Sequence, residues 1–357
     1  MTNSHYFPTL EVNLAAVARN YTLLRNKISH GRMGAVVKAN SYGLGALPVS
    51  TELHKSGCRD FFVATLDEAI ELRTAIGTDN IYVFHGLRPG QTSEFLAHKL
   101  IPILNTFAQV ELWNNAGSYA LHIDSGMTRL GITPEEAERF ALQGQKAWGN
   151  LVLIVSHLAC ASDEENPKNA QKLELFRKIR PLFAGIPASF ANSSGICLGP
   201  DYHFDLGRPG RALYGITRGT RMLSEIENVV NLSAPVLQYR TITSPQTVGY
   251  SATASAGPGT VLATLEIGYA DGFLRSLGNK ICGYVDDIRV PIIGLVSMDM
   301  IIVDVTTVPE NLRTPDMRVS FIGKQQPIDK VAEAVNTIGY EIFTRLGRRV
   351  KRIYTHN

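Results

Sequence analysis

The sequence predicts an α/β fold class, with an N-terminal (β/α)8 barrel of the TIM type over residues 1–226 and a C-terminal β-rich domain over residues 227–357. Three observations predict this fold. The length of 357 residues exceeds one average domain of about 150 residues. Short apolar runs alternate with helical segments in the first two thirds, and closely spaced extended segments then replace them. A doubly wound open sheet is the alternative for the first part.

Eight short apolar runs are the predicted barrel strands, because each is too brief and too uniformly apolar for anything but a strand buried on both faces. They are Gly34–Val37, Phe61–Ala64, Ile81–Phe84, Ile101–Leu104, Ala120–Ile123, Leu151–Ser156, Ala188–Ala191 and Ala212–Gly215. Asp67–Ala75 is one predicted helix between them. An earlier helix, capped by Asn13, has an apolar face made of Leu14, Val17, Tyr21, Leu24 and Ile28. Eight parallel strands within about 220 residues favour a closed barrel.

Beyond residue 227, Gly, Pro and Asp separate extended segments without long amphipathic stretches, which predicts a β-rich domain. The predicted strands are Val236–Ile242, Thr260–Glu266, Ile281–Val285, Val290–Val296, Ile301–Val305 and Arg318–Ile322. A late helix is predicted over Lys330–Asn336.

Charge and composition exclude several classes of protein. Lys and Arg number 35 against 32 Asp and Glu, and a net charge of +3 gives no field suited to nucleic acid. No apolar run approaches the roughly 18 residues of a membrane-spanning helix. Met1–Pro8 has no signal-peptide pattern, so we expect a cytoplasmic protein. The four cysteines lie far apart without metal-ligand spacing, which predicts free thiols and no metal site.

Polar residues follow the predicted strands, at the rim where βα barrels place their active sites. They are Lys38 after the first strand, Asp124–Arg129 after the fifth, His157 after the sixth, Asn192 and Ser193 after the seventh, and Gly207–Gly210 at the eighth. Most lysines are solvated surface charges. Lys38, however, continues directly from a buried strand, where desolvation lowers the pKa of an amine and makes it a nucleophile for carbonyls. This position therefore indicates Schiff-base chemistry.

Motifs along the whole chain resemble those of alanine racemases. The segment Ala35-Val-Val-Lys38-Ala-Asn-Ser-Tyr42 is similar to the one that attaches pyridoxal 5′-phosphate in that family. The other motifs follow in order: Asp124-Ser-Gly-Met-Thr-Arg129, Asn192-Ser193, Gly207-Arg208-Pro-Gly210, Val248-Gly-Tyr250, Ile267-Gly-Tyr269-Ala-Asp271, Gly294-Leu-Val-Ser-Met298-Asp299 and Thr344-Arg-Leu-Gly347. The resemblance implies an isomerase that interconverts L- and D-alanine and supplies D-alanine for peptidoglycan.

The resemblance also implies two catalytic bases, because inverting a stereocentre needs proton exchange on both faces. Lys38 would form the Schiff base with the cofactor and serve one face of the substrate, and Tyr250 would serve the other. Arg208 would donate to the pyridine nitrogen. Since arginine keeps its proton, the electron sink stays weak, which favours racemisation over transamination. His157 would link Arg208 to Tyr250 by hydrogen bonds.

The remaining implied roles concern the cofactor phosphate and the substrate. The phosphate would be held by Tyr42, by Ser193 and by the backbone amides around Gly210 and Arg211. The substrate-binding residues would be Arg129, Tyr269, Met298 and Asp299. In this family the second domain completes the site of the other subunit, so the resemblance implies a head-to-tail homodimer. The segment Tyr6–Val12 would add a strand to the β-rich domain.

Two positions depart from the family pattern. His122 stands where many members have a carbamylated lysine that orients the substrate-site arginine, and Arg348 replaces a tyrosine near the phosphate. A broader racemase that accepts serine or larger side chains is therefore an alternative. A decarboxylase would use an acidic partner for the pyridine nitrogen, whereas this chain has Arg208. A non-enzymatic, single-barrel pyridoxal phosphate-binding protein would lack residues 227–357.

Overall fold

A ring of parallel strands forms the core of the first part of the chain. The computed structural model describes residues 7–219 and 224–356. They divide into one unit within Val17–Glu227 and a second unit made by the residues up to Ala16 and from Asn228 onward. Within the described residues, the first elements are strand β1 (Thr9–Asn13) and helix α1 (Leu14–Lys27). The Asn13 side-chain oxygen accepts from the Ala16 amide at 3.0 Å, so the predicted cap is confirmed.

The barrel strands are β2 (Arg32–Met33), β3 (Ala35–Val36), β4 (Asp60–Val63), β5 (Asn80–Val83), β6 (Ile101–Leu104), β7 (Tyr119–His122), β8 (Leu151–Val155), β9 (Ala188–Ser189) and β10 (Leu206–Gly207). Strands β3 to β9 are parallel neighbours in one sheet. β10 pairs in parallel with β2, and the Arg208 amide donates to the Ala191 carbonyl at 2.8 Å. β10 therefore joins the two edges of the sheet, and the predicted barrel fold is confirmed.

The eighth strand lies earlier in the chain than predicted. Residues Ala212–Gly215 are not a strand, because Arg211–Tyr214 forms a 3-10 helix. This run is apolar since its side chains are buried, and the Tyr214 hydroxyl donates to the Val36 carbonyl at 2.8 Å. The actual strand β10 has two residues, which is too few to produce a periodic signal. Its partners on both sides define it instead.

Helices connect the barrel strands. They are α2 (Lys38–Tyr42), which is a single left-handed turn, and the right-handed helices α3 (Ala46–Lys55), α4 (Leu66–Ile76), α5 (Thr92–Ala97), α6 (Phe107–Trp113), α7 (Pro134–Leu142), α8 (Gln145–Trp148) and α9 (Pro167–Ile179). The predicted helix at Asp67–Ala75 is α4. Its start is determined by a capping box between Thr65 and Glu68, in which each side chain binds the other residue's backbone amide.

Apolar side chains fill the interior of the barrel. The cluster contains Val36, Phe62, Tyr82, Ile101, Ile103, Ala120, Leu153, Val155 and Leu206. The rings of Phe62 and Tyr82 stack at 4.6 Å. Because this interior is packed, polar groups that serve chemistry are confined to the ends of the strands.

The second unit is rich in strands. They are β1, β11 (Val230–Thr241), β12 (Gln246–Val248), β13 (Ala254–Ala256), β14 (Val261–Leu265), β15 (Cys282–Val285), β16 (Ile288–Pro291), β17 (Ile301–Asp304), β18 (Arg318–Ile322) and β19 (Lys351–Thr355). The helices are α10 (Ile328–Glu333) and α11 (Gly339–Arg345). β1 lies antiparallel to β11 and parallel to β19. Tyr6, which the prediction included in this first strand, lies outside the described residues.

Most predicted strands of this unit have an observed counterpart, with two differences of length. β11 begins at Val230, six residues before the predicted Val236. The strand predicted at Val290–Val296 ends at Pro291, and the chain then forms the loop that contains Met298. All four cysteine thiols are free. Among residues 7–219 and 224–356, no helix combines the length and apolar character needed to cross a bilayer.

Candidate active site

Lys38 begins a left-handed turn at the carboxyl end of β3. The four residues that follow it, Ala39 to Tyr42, have φ angles of 51, 55, 50 and 57°. Such angles cost roughly 1–2 kcal/mol for each residue with a side chain, so the surroundings must hold the turn. Glu68 accepts from the Ala39 amide at 2.8 Å, and the Asn40 side chain accepts from the Ala46 amide at 2.7 Å. These hydrogen bonds therefore fix the backbone position from which the Lys38 side chain extends.

The Lys38 amine is placed among apolar and cationic groups. Burial, and then the positive charge of Arg129, lower the pKa of Lys38 below its usual value. Its Nζ lies 5.6 Å from the centre of the Phe84 ring. A lowered pKa increases the fraction of neutral amine near neutral pH, which is the form that attacks a carbonyl.

Arg208 is buried beside β9 and is held from two sides. Its Nη2 donates to the Ser156 carbonyl at 2.6 Å, and its Nη1 donates to the Ser189 hydroxyl. The guanidinium carbon lies 5.8 Å from the centre of the Phe62 ring. Burial lowers the pKa of Arg208 to about 9, so the side chain remains a cation at neutral pH. It is a rigid donor at the barrel rim.

His157 follows β8 and is a neutral imidazole at physiological pH. Burial, followed by the charges of Arg208 and Arg129, lowers the pKa of His157 well below its usual value. Among the described residues, the Arg208 side chain donates to Ser156 and Ser189, and no hydrogen bond joins it to the His157 ring. The structure places the two residues close enough for the charge of Arg208 to lower the pKa of His157, and the link through His157 to Tyr250 stays a prediction.

The tautomer of His122 follows from its partner, Asn105. Both amide hydrogens of Asn105 are used, on the carbonyls of Phe84 and Ile103 at 3.0 and 2.9 Å. Its Oδ1 therefore accepts, and the donor is His122 Nδ1 at 2.8 Å. Burial and the charge of Arg208 lower the pKa of His122 to about 4. The ring is neutral, with an unprotonated Nε2 that can accept a hydrogen bond.

The loop before Arg129 is organised by Asp124. Its carboxylate accepts from the amides of Gly126, Met127 and Thr128 at 2.8, 2.7 and 2.7 Å. Burial alone would raise the pKa of Asp124, but these backbone donors lower it below its usual value. Arg129 is exposed, and within the described residues no carboxylate pairs with it. Its guanidinium remains available to an anion.

The Ser193 hydroxyl, the Tyr42 hydroxyl and the backbone around Gly210 form a polar cradle near β10. The Ser193 hydroxyl oxygen accepts from the Gly210 and Ala212 amides at 3.0 and 3.3 Å. Gly210 approaches Tyr42 so closely that an added Cβ would lie 2.5 Å from the tyrosine hydroxyl. The tyrosine hydroxyl, the serine hydroxyl and the Gly210 backbone thus come together. Chemically, hydroxyls and amides at a cationic rim suit a phosphate.

The Arg211 side chain does not belong to this cradle. Its Nη2 donates to the Ser194 hydroxyl at 2.7 Å, and its Nη1 donates to the Arg218 carbonyl at 2.8 Å. The residue is 8% exposed. The side chain therefore braces the segment after the 3-10 helix, and only the Arg211 backbone lies near Gly210.

In the second unit, Tyr250 lies on a strained turn. The tyrosine is 68% exposed and follows Gly249, whose φ is 72°. Ser251 and Ala252 after it also have positive φ angles, of 59 and 48°. Non-glycine residues in this conformation concentrate at functional sites.

Tyr269, Met298 and Asp299 belong to two loops that pack backbone against backbone. The Tyr269 amide donates to the Ser297 carbonyl at 3.0 Å, and the Ala270 amide donates to the Met298 carbonyl at 2.9 Å. A Cβ on Gly268 would lie 2.3 Å from the Met298 carbonyl oxygen, so only glycine permits this approach. Arg348, at the family's tyrosine position, is exposed, and no ion pair joins it to the described residues.

Sequence reasoning missed several residues of these sites. Asn105 follows β6 directly, so the same strand-end rule that selected Lys38 would have found it. Ser156 and Ser189 bind Arg208 but carry no motif. Arg349 binds Asp271 and Asp299, which lie far from it in the chain, and no local pattern indicates that pairing.

The fold and the site together define a class of protein, the barrel-fold enzymes with a strand-end lysine placed for carbonyl chemistry. Comparison with known protein families identifies the family of this chain. The family model "Alanine racemase, N-terminal domain" matches residues 12–218, and "Alanine racemase, C-terminal domain" matches residues 229–354. The chain belongs to the alanine racemase family.

Individual relatives cover nearly the whole chain. An alanine racemase of Rhodospirillum rubrum is 42% identical over 97% of this chain and 95% of its own length. A catabolic alanine racemase of Agrobacterium fabrum is 41% identical over 97% of this chain and 91% of its own. The crystal structure of alanine racemase from Bartonella henselae with covalently bound pyridoxal phosphate superimposes with a TM-score of 0.90 at 35% identity, over 98% of this chain and 99% of that one.

Proposed function

We propose that this chain is an alanine racemase that interconverts L- and D-alanine with pyridoxal 5′-phosphate as its cofactor. The observation that carries the proposal is the Lys38 amine, whose pKa is lowered by burial and by Arg129 at the rim of the barrel. The charge of Arg129 acts on Lys38 together with the opposing charge of Glu68, and Arg208, Arg129 and His122 act on His157, which Lys38 also influences. The nearby carboxylate of Asp124 is already bound to three amides. Such a rim fits an anionic aldehyde and an amino-acid carboxylate.

The cofactor would be held by residues that the structure brings to one rim. Lys38 would bind its aldehyde carbon, and Tyr42, Ser193 and the amides around Gly210 and Arg211 would hold its phosphate. The Gly210 amide would exchange its bond to the Ser193 hydroxyl for one to the phosphate. When bound, the cofactor supplies an electron sink that acidifies the α-hydrogen of the amino acid. Arg208 would face the pyridine nitrogen as a donor that keeps its proton at neutral pH, which limits the electron sink and favours racemisation.

Two bases would move the proton. Lys38 Nζ would take or return a proton on one face of the α-carbon, and the Tyr250 hydroxyl would do so on the other. Neutral His157 would contribute no second charge near the lysine and would accept or donate one hydrogen bond as the proton moves. Arg129, Tyr269, Met298 and Asp299 would bind and enclose the substrate, with the guanidinium and the backbone amides meeting its carboxylate.

The second unit would complete the site of another copy of the chain. We propose a head-to-tail homodimer in which residues 227–357 of one protomer bring Tyr250 and the loops at Tyr269 and Met298 to the barrel, residues 1–226, of its partner. A cytoplasmic dimer of this kind would supply D-alanine for peptidoglycan. The exposure of the Tyr250 side chain supports a role at an interface rather than in a core.

Deuterium exchange tests the reaction and its two bases. L-Amino acids are incubated with the enzyme in deuterated water, and both α-hydrogen exchange and product chirality are read. We expect racemised, deuterated alanine; a faster reaction with serine would instead identify the broader racemase. Lys38→Ala should lower activity by about 10³-fold or more, and Tyr250→Phe should slow exchange on one face by about 10²-fold while the cofactor absorbance persists.

Tyr284→Phe is the matched control, because this tyrosine lies in β15 and has no proposed role. A yellow, active Lys38→Ala enzyme would remove Lys38 as the residue that binds the cofactor. Normal rates in both directions for Tyr250→Phe would remove that residue as a base.

A further inference from the structure

Three segments of the second unit meet at Arg349. Its Nε donates to Asp271 Oδ1 at 2.6 Å, and its Nη2 donates to Asp271 Oδ2 at 2.9 Å. Its Nη1 donates to Asp299 Oδ1 at 2.8 Å. The planar guanidinium of Arg349 thus makes two hydrogen bonds to the Asp271 carboxylate, and its third nitrogen makes one to the Asp299 carboxylate. A lysine ammonium cannot reproduce this geometry.

Asp271 is the fixed end of this bridge. The residue is 1% exposed, and its Oδ2 also accepts from the Gly268 amide at 2.8 Å. The Gly347 amide donates to the Asp271 carbonyl at 2.9 Å, which ties the same residue to the segment that carries Arg349. Because a buried carboxylate must be paired, Asp271 anchors the guanidinium. The Asp299 side chain is about half exposed, so it depends on Arg349 for its position.

The loop at residues 297–300 contains two backbone donors that the protein leaves unused. The carbonyls of Ser297 and Met298 accept from the amides of Tyr269 and Ala270. In the part of the chain that the structure describes, no acceptor meets the N–H of Met298 or of Asp299. The loop is therefore held by the bonds from its carbonyls to the Tyr269 and Ala270 amides and by the bond from the Asp299 carboxylate to Arg349. The amides of Met298 and Asp299 remain available to an anion.

We propose that Arg349 is a positioning residue that holds these two amides in place for a substrate carboxylate. This inference rests on the proposed function, in which the loop binds the carboxylate of alanine. Arg349 itself does not touch the substrate; it acts through Asp299 and is held by Asp271. Loss of the bridge would free the loop and weaken carboxylate binding equally in the ground state and the transition state, which raises KM and spares kcat.

Arg349→Lys in the holoenzyme tests the proposal kinetically. We expect KM for L-alanine to rise about 10-fold and kcat to change by less than about 2-fold, since the single charge survives but the fork does not. Arg345→Lys is the matched control, because Arg345 makes an exposed pair with Glu341 at 3.1 Å four residues earlier. An unchanged KM, or a fall in kcat without a rise in KM, would overturn the proposal.

Amide hydrogen exchange supplies a readout that does not depend on turnover. The Tyr269 and Ala270 amides should lose protection in Arg349→Lys and in Asp299→Asn, and should keep it in Arg345→Lys. If Arg349→Lys does not fold, Asp299→Asn tests the proposal in its place, because it alters only the exposed end of the bridge. The same changes in KM and in amide exchange are then expected. If the wild-type chain does not racemise alanine, the proposed function fails, and exchange alone decides whether Arg349 holds the loop; unchanged protection would overturn that role.

Discussion

Acidification should destabilise the barrel through His122. Burial lowers the pKa of the folded His122 imidazole to about 4, whereas an unfolded histidine titrates near 6.5. Above pH 6.5 both states are neutral and the histidine contributes no difference. Between about pH 6.5 and 4, the unfolded chain binds a proton that the folded chain does not, so stability falls as the pH falls. At about 1.4 kcal/mol for each pH unit, the full loss approaches about 3 kcal/mol.

Urea unfolding from pH 7.5 to 4 measures this loss. Both tryptophans of the chain, Trp113 and Trp148, are buried within the barrel unit, so their fluorescence reports the unfolding of that unit. The wild type and His122→Gln should differ by a constant amount above pH 6.5. Below it, the variant should lose less stability than the wild type, by up to about 3 kcal/mol.

The comparison isolates one group, because His157 also has a lowered pKa and remains in both proteins. His30→Gln changes an exposed histidine of the same unit and should run parallel to the wild type. If the curves of His122→Gln and the wild type also stay parallel down to pH 4, the folded His122 is not held neutral, and the low pKa assigned to its burial is wrong.

Two further substitutions probe the cofactor cradle and the buried arginine. Gly210→Ala places a methyl group 2.5 Å from the Tyr42 hydroxyl and should displace it, weakening pyridoxal phosphate binding about 10-fold in an absorbance titration; Gly257→Ala, at an open position, should leave binding unchanged. Ser189→Ala removes an acceptor from the buried Arg208 guanidinium and should cost about 1.5–3 kcal/mol in urea unfolding. Ser50→Ala, at a buried hydroxyl that meets no hydrogen-bond partner among the described residues, is its control; equal losses at both positions would contradict the role assigned to Ser189.

Local pattern predicted much of the barrel because its strands are buried on both faces. β4 to β8 are runs of four or five residues whose apolar character is visible without any partner. β10 was missed because two residues carry no period, and a buried 3-10 turn just after it offered a stronger apolar run. In the second unit, the length of β11 was underestimated because its first half includes polar residues such as Asn231.

The strand-end rule and the motifs selected candidate residues, but they could not supply the contacts between them. The side chain of Arg211 illustrates the limit, since the prediction used only the Arg211 backbone and no motif indicated that its guanidinium binds Ser194. The hydrogen bond between His122 and Asn105 joins the ends of neighbouring strands, so it exists only when β6 and β7 are paired.

The order of strands and helices and the lysine that ends a buried strand are properties of the sequence by itself, because they depend on residues adjacent in the chain. The closure of the ring by β10, the neutral state of His122 and the bridge from Arg349 to Asp271 and Asp299 were decided only by the tertiary structure. Burial and hydrogen-bond geometry act between residues that are brought together from distant positions, and no local pattern contains those distances.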